Sequence, residues 1–195
     1  MSLSAVASSQ ATTKGAVLRA LLNFVQSDLT ADQYERAVAA LPDSDQAIIR
    51  QTSILPSLKV SEFVLNHLTI EASRAKGEPI EEFGRRAGTA ELKSAVGIYR
   101  FITMILTPAA ILRKAATIWS TVHSHGSLSV VEQSEGRALM RLTDFPAEQS
   151  NCARITGWME GLGIMTNARN TKVRHGLCMT RGDKACEWLV TWDRK

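Results

Sequence analysis

The sequence has few of the residues that build disulfide-bonded or membrane-spanning proteins. It contains three cysteines in 195 residues, an odd number that fits free thiols or metal ligands better than a disulfide framework. No apolar stretch approaches the roughly 18 to 20 uncharged residues that cross a bilayer. The best candidate, residues 95–112, contains Arg100 and is interrupted by Pro108. These absences predict a soluble protein in a reducing compartment.

The N-terminus lacks the basic segment and long apolar core of a secretory signal. Its first residues, MSLSAVASSQATTKG, are mostly small and polar. We therefore expect a flexible tail over residues 1–12, one domain over residues 13–195, and a cytoplasmic location.

The net charge of +4 is unevenly placed along the chain. Residues 1–153 carry 15 basic and 15 acidic side chains, whereas residues 154–195 carry 8 basic and 4 acidic ones. This last segment has neither a dense Lys/Arg run nor aromatic residues interleaved with basic ones. The pattern therefore favours a solvated face and predicts no nucleic-acid partner.

Residues 13–125 have the apolar spacing of helices. The segment GAVLRALLNFVQ places its apolar residues on one face, and Thr30 offers an N-cap for the next helix. The segment SLKVSEFVLNHLTIEASRAKG predicts one helix ending at Gly77. A long central helix should follow Pro79 and continue to Pro108, where another helix begins.

Residues 126–195 have a different pattern. SLSVVEQ and RALMRLTDF, separated by Glu135-Gly136, predict a β-hairpin, and ARITGWMEGLGI predicts a helix. Residues 168–177 and the segment CEWLVTW look extended. The expected fold class is α+β: a helical N-terminal half packed on a C-terminal β-β-α-β-β core with an antiparallel sheet.

All three cysteines and one histidine fall in this core, where they form a candidate metal site. Cys152 begins the predicted helix, His175 and Cys178 end the third strand, and Cys186 begins the fourth. A Cys₃His set is a closed tetrahedral shell for structural zinc. The spacing differs from that of a zinc finger, so from spacing alone three buried thiols and a surface histidine stay an open alternative.

The tail residues CARITGWMEGLGI and RHGLCMTRGDKACEW resemble the 4-vinyl reductase type small-molecule-binding domain, whose β-β-α-β-β core ends in Cys, a Gly-Asp turn and Cys-aromatic. In aromatic-responsive transcription activators that share this core, three cysteines and a carboxylate bind zinc. The resemblance implies that Cys152, Cys178 and Cys186 are zinc ligands. It also places His175 where the family has the carboxylate.

Over its whole length the chain is similar to an uncharacterised family abundant as paralogues in myxobacteria. The similarity rests on five segments in the same order: VLRALLNFV, ALP, EFGRRAGTAELKSAVGIYRF, TPAAILRKAATIW and the cysteine-containing tail. That family implies a fold and no settled activity.

The wider superfamily includes haem-based nitric-oxide sensors and TRAPP tethering subunits, in which the helical half packs on the sheet around an apolar pocket or channel. The resemblance therefore implies a pocket between the central helix and the sheet, with candidate lining residues Tyr99, Met104, Ile105, Ile111 and Trp119. The sensors also use a proximal histidine and a Tyr-x-Ser-x-Arg clamp. Both tyrosines here, in YERAV and YRFIT, lack that pattern, so we do not expect haem.

These features favour a non-enzymatic ligand-binding or signalling module. It would hold a small apolar, aromatic or fatty-acyl molecule, contain structural zinc and form a homodimer through helical surfaces. The alternative is a protein-interaction adaptor whose pocket is filled by its own side chains. A reductase is a third hypothesis, but no redox-cofactor motif supports it.

Overall fold

The first half of the chain contains six helices and two short strands within the part that the structure describes. The computed structural model describes residues 11–95, 108–166 and 168–193. The elements are β1 (Thr12–Lys14), α1 (Gly15–Asp28), α2 (Ala31–Ala39), α3 (Asp43–Ile49), β2 (Lys59–Ser61), α4 (Glu62–Lys76), α5 (Ile80–Ala95) and α6 (Pro108–Val122).

Helix α1 packs its apolar face into a core shared with α2, α4 and α5. Leu18, Leu21 and Val25 are fully buried in this core. The capping prediction for α2 is confirmed: the hydroxyl of Thr30 accepts from the backbone N–H of Gln33, whose side chain accepts in return from the N–H of Thr30. The apolar face of α1 is therefore largely covered within the chain.

Two three-residue strands replace part of what the sequence predicted as tail and helix. β1 and β2 pair antiparallel, with Thr12 opposite Ser61. Helix α4 therefore begins at Glu62, where the Ser61 hydroxyl accepts from the N–H of Phe63. Ala11 is also buried, so the expected tail does not extend to residue 12. Residues 1–10 lie outside the described part of the chain.

The second half confirms the predicted β-β-α-β-β order and the α+β class. Its elements are β3 (Ser127–Ser134), β4 (Arg137–Thr143), α7 (Gln149–Met165), β5 (Lys172–His175), a 3₁₀ turn (Met179–Arg181) and β6 (Cys186–Thr191). The sheet order is β3-β4-β6-β5, with every neighbouring pair antiparallel. One face of the sheet packs on α7, with Met140, Met159 and Trp188 fully buried between them.

Helices α5 and α7 cross at very short range because glycines face each other there. A Cβ atom at Gly88 would overlap the backbone of Arg154, and one at Gly157 would overlap the backbone of Arg85. Only glycine permits so close an approach of two helix backbones. The crossing joins the helical half to the C-terminal core.

Helix α5 confirms the start of the predicted central helix, whose later part lies outside the described residues. Within the described segments, none of the helices combines the length and apolarity required to cross a membrane.

Candidate metal centre and cavity

The three cysteines and His175 meet where α7 lies against the β5–β6 hairpin. Cys152 is in the first turn of α7, and Cys178 and Cys186 flank the hairpin turn. Gly182, with φ of 90°, closes this turn in the left-handed region, and the Asp183 carboxylate accepts from the N–H of Cys178 at 2.7 Å. These local constraints bring two distant parts of the chain to one point.

The sulfur positions match those of a tetrahedral zinc shell. The Sγ atom of Cys152 lies 3.7 Å from that of Cys178 and 3.8 Å from that of Cys186, and the remaining pair is 3.9 Å apart. Around zinc with Zn–S bonds of about 2.3 Å, tetrahedral geometry separates sulfur atoms by about 3.8 Å. The donor atoms of all four residues lie within 4.8 Å of one another. The arrangement can therefore hold a metal ion.

The imidazole of His175 is oriented by packing against Trp188. The two rings are parallel within 8° with centroids 4.7 Å apart, and the indole N–H of Trp188 donates to the Thr156 hydroxyl at 2.9 Å. The Nε2 atom of His175 is buried and has no hydrogen-bond partner among the described residues. A buried polar atom without a partner is costly, and coordination to a metal would satisfy it.

Hydrogen bonding concentrates negative charge on one thiol of the cluster. A hydrogen bond from Cys152, supported by the N–H of Met179 at 3.4 Å, lowers the pKa of Cys186 although burial opposes its charge. The same hydrogen bond, together with burial, raises the pKa of Cys152. All three cysteines are free and buried. The cluster thus favours a thiolate, the form in which cysteine binds metal.

A second feature is a cavity of about 660 Å³ among the helices. It is lined by residues of β1, α1, α5, α6 and α7 and by the first residue of α4. No described residue of β3 to β6 lines it. The pocket expected between the central helix and the sheet therefore lies on the other side of α7, because α7 itself covers the sheet.

The cavity wall is mostly apolar. Two of the predicted pocket residues, Ile111 and Trp119, line it, whereas Tyr99, Met104 and Ile105 lie outside the described residues. The apolar lining also includes Leu92, Phe145, Ile155, Trp158 and Leu162. A cavity of this size and character is typical of small-molecule sites.

Two pairs of ionisable side chains also line this apolar cavity. Arg154 of α7 donates two hydrogen bonds to Glu91 of α5, at 2.8 and 2.9 Å, and both residues are buried. Glu62 accepts from Nδ1 of His123 at 2.6 Å. Although burial opposes its charge, the carboxylates of Glu91 and Glu62 raise the pKa of Arg154.

Sequence patterns assigned no role to Glu62, Glu91 or Arg154. Glu62 follows a capping serine in the first turn of a helix, a position that usually faces solvent. Arg154 carried a usable signal, because it is the lone cation in the mainly apolar helix segment CARITGWM. A charge in such a helix is seldom buried without a partner.

Two further histidines, His67 and His125, lie away from the cavity lining. Nδ1 of His67 contacts Asp45 at 2.7 Å, and Nδ1 of His125 contacts the Ser124 hydroxyl at 2.8 Å. His123 is therefore the histidine that the structure places in the cavity wall, where its ring stacks on Trp119 with centroids 4.0 Å apart.

Solved structures of H-NOX proteins share this fold. An unliganded Fe(II) H-NOX protein from K. algicida is 10% identical with a TM-score of 0.73, covering 93% of this chain and 97% of that chain. An Fe(II) H-NOX protein from S. oneidensis gives 12% identity, the same TM-score and the same coverage. An oxygen-binding H-NOX domain related to soluble guanylate cyclases is 11% identical with a TM-score of 0.69, covering 93% of this chain and 95% of that chain. At these identities the likeness concerns the fold.

No curated protein sequence matches the chain. A family model described as "Protein of unknown function (DUF2378)" matches residues 7–193, nearly the whole sequence. The chain therefore belongs to the DUF2378 family.

Proposed function

We propose that the chain is a non-enzymatic ligand-binding module for signalling, and that its ligand is a small apolar or aromatic molecule or a fatty-acyl chain. The observation that carries this proposal is the cavity of about 660 Å³ with its mainly apolar wall. Protein interiors are normally packed without voids much larger than a water molecule. A space this large, with a few convergent polar groups, is suited to a small molecule.

The H-NOX fold supports a sensor role. One of the structures with this fold is an oxygen complex of an H-NOX domain, so in that protein the architecture binds a small molecule. Helix α7 separates the cavity from the sheet in this chain. A change at the cavity can therefore reach the C-terminal core through one helix.

The described residues do not fit haem. His123, the histidine in the cavity wall, lies flat on Trp119, and its Nδ1 atom is held by Glu62. The sequence has no Tyr-x-Ser-x-Arg segment. The buried carboxylates of Glu62 and Glu91 would also face a cofactor that carries two carboxylates of its own. The proposed ligand is therefore an apolar molecule other than haem.

We further propose that Cys152, His175, Cys178 and Cys186 bind one structural zinc ion. The sulfur spacing and the unpartnered Nε2 atom of His175 support this assignment. Zinc would join α7 to the β5–β6 hairpin. A closed four-ligand shell leaves no position for a substrate, so its role would be stability.

For assembly and location, we propose a homodimer in a reducing compartment, the cytoplasm. Three free cysteines fit that compartment. Residues 13–195 are proposed to act as one small-molecule-binding unit. Sedimentation velocity at high micromolar concentration should show a dimer, and a monomer at that concentration would contradict this assignment.

Native mass spectrometry of protein purified without denaturation tests the ligand-binding role. We expect a retained or exchangeable small molecule. Ala16→Trp, at an exposed helix position in the cavity lining, should reduce its occupancy, whereas Ala39→Trp, at an exposed position of α2 outside the lining, should not. If the wild-type protein neither retains nor accepts any apolar compound, the adaptor alternative takes its place.

A further inference from the structure

One wall of the cavity carries a group of buried polar side chains that we name the polar corner: Glu62, Glu91, His123, Asn151 and Arg154. Glu62 is 2% exposed, Asn151 4%, Arg154 6% and Glu91 8%. They come from the start of α4, from α5, from the residue after α6 and from α7. Burying charges beside apolar residues is a poor way to gain stability, so their convergence on a cavity points to a ligand.

The polar corner presents two buried carboxylates to the cavity. Arg154 directs its Nε and one terminal nitrogen at Glu91. Nδ1 of His123 contacts the Glu62 carboxylate at 2.6 Å, which is the one side-chain hydrogen bond of Glu62 among the described residues. Two buried carboxylates therefore converge with a single guanidinium, and that guanidinium is directed at Glu91. The ligand group that complements this arrangement is a cationic donor.

Two cations, Lys14 and Arg19, also line the cavity, and they could instead attract an anionic ligand. Both are exposed, so water and salt screen their charges. The carboxylates of the polar corner are buried, so salt screens them much less than the cations at the exposed edge. The buried carboxylates therefore decide the preference.

We propose that the cavity binds an apolar amine, with its ammonium group in the polar corner and its hydrocarbon part along the apolar wall. This proposal rests on the proposed function, because it names the ligand class for the same cavity. The ammonium group donates up to three hydrogen bonds, and the carboxylates of Glu62 and Glu91 are its acceptors. Trp119, Ile155 and Trp158 line the apolar part.

Three ten-carbon compounds that differ only in their polar group provide the test: decan-1-amine, decan-1-ol and decanoate. Their affinities for the wild-type protein are measured by isothermal titration calorimetry at concentrations below micelle formation. We expect the amine to bind at least about tenfold more tightly than decanoate, with the alcohol between them. Tighter binding of decanoate overturns the amine proposal and leaves the cavity as a ligand site; binding of none of the three overturns the proposed function as well.

Glu62→Gln tests the polar corner itself, and Glu135→Gln, at the exposed β3–β4 turn, is the matched control. Glu62→Gln should reduce the preference for the amine over the alcohol by about tenfold, while Glu135→Gln leaves it unchanged. An unchanged preference in a folded Glu62→Gln protein contradicts the proposal. If that variant does not fold, the comparison of the three compounds on the wild-type protein still decides.

Discussion

Gly88 of α5 lies directly against the backbone carbonyl of Arg154 in α7, with no room for a methyl group between them. On the opposing helix, Gly157 makes the equivalent contact with Arg85. The contacts bring Glu91 and Arg154 within hydrogen-bond distance. Close helix packing and the polar groups of the cavity therefore depend on the same crossing.

Gly88→Ala and Gly157→Ala should each lower the free energy of unfolding by at least about 2 kcal/mol, because the added methyl group overlaps backbone atoms that cannot move independently. The intrinsic gain of alanine over glycine in a helix, about 1 kcal/mol, is too small to offset this. Urea denaturation measures the change. Gly176→Ala is the control and should be near neutral, because its Cβ would lie 3.8 Å from the Glu187 carbonyl oxygen, an ordinary van der Waals distance.

Protein purified without chelator should contain one equivalent of zinc. Cys178→Ser should lower both the zinc content and Tm, because a structural zinc site contributes its binding free energy to folding. Elemental analysis and thermal unfolding measure the two quantities. Lys184→Ser, an exposed change in the same hairpin, should affect neither. A zinc content below about one tenth of an equivalent, without stoichiometric uptake of added zinc, would leave the cluster as three buried thiols and a histidine.

Asp28 at the end of α1 should make stability pH-dependent. Hydrogen bonds from Arg86 and Lys76 lower its pKa from 3.8 to about 2. The unfolded chain therefore takes up the proton first as pH falls. The stabilisation, on the order of 2 kcal/mol, is fully present above about pH 5 and is lost between about pH 4 and pH 2.

Asp28→Asn should remove this contribution at pH 7 and flatten stability over that acidic range. Glu132→Gln, at an exposed position of β3, should keep the wild-type dependence. Denaturant titrations at several pH values compare the three proteins. An Asp28→Asn protein with the wild-type acid dependence would show that other groups are responsible.

The buried pair of Arg154 and Glu91 should behave non-additively. Arg154→Met alone leaves the Glu91 carboxylate buried without its partner and should cost about 3 to 5 kcal/mol. Adding Glu91→Met should recover most of that loss, since no buried carboxylate is then left unpaired at this position. A double-mutant cycle in urea measures the coupling, and additive effects would contradict a direct interaction.

Local sequence patterns predicted the helices, turns and strands that short segments determine by themselves. The N-cap at Thr30 and the turn at Gly136 come from short segments, and the β-β-α-β-β order follows from changes in apolar spacing. Strand β2 escaped prediction because Val60 fits the apolar spacing of the helix that follows. Its real partner is Thr13, 47 residues earlier, and local spacing carries no information about that pairing.

The sequence likewise indicated one part of the candidate site, the cysteine cluster, and missed the other. The spacing of the cysteines around one predicted turn leaves buried free thiols as an alternative, and it is the family resemblance that implies a zinc cluster. The polar corner gave no such signal. Glu62 and Glu91 resemble ordinary surface charges in the sequence, because their burial depends on how the helices around the cavity pack.

Cys152 and Arg154 are two residues apart on α7, one at the proposed zinc site and the other in the cavity wall. Occupancy of the two sites is therefore subject to thermodynamic linkage through a single rigid element. Whatever factor zinc contributes to ligand affinity, the ligand must contribute the same factor to zinc affinity. A zinc titration with and without a bound molecule would thus measure communication between the two halves of the chain, even though neither measurement observes the other site directly.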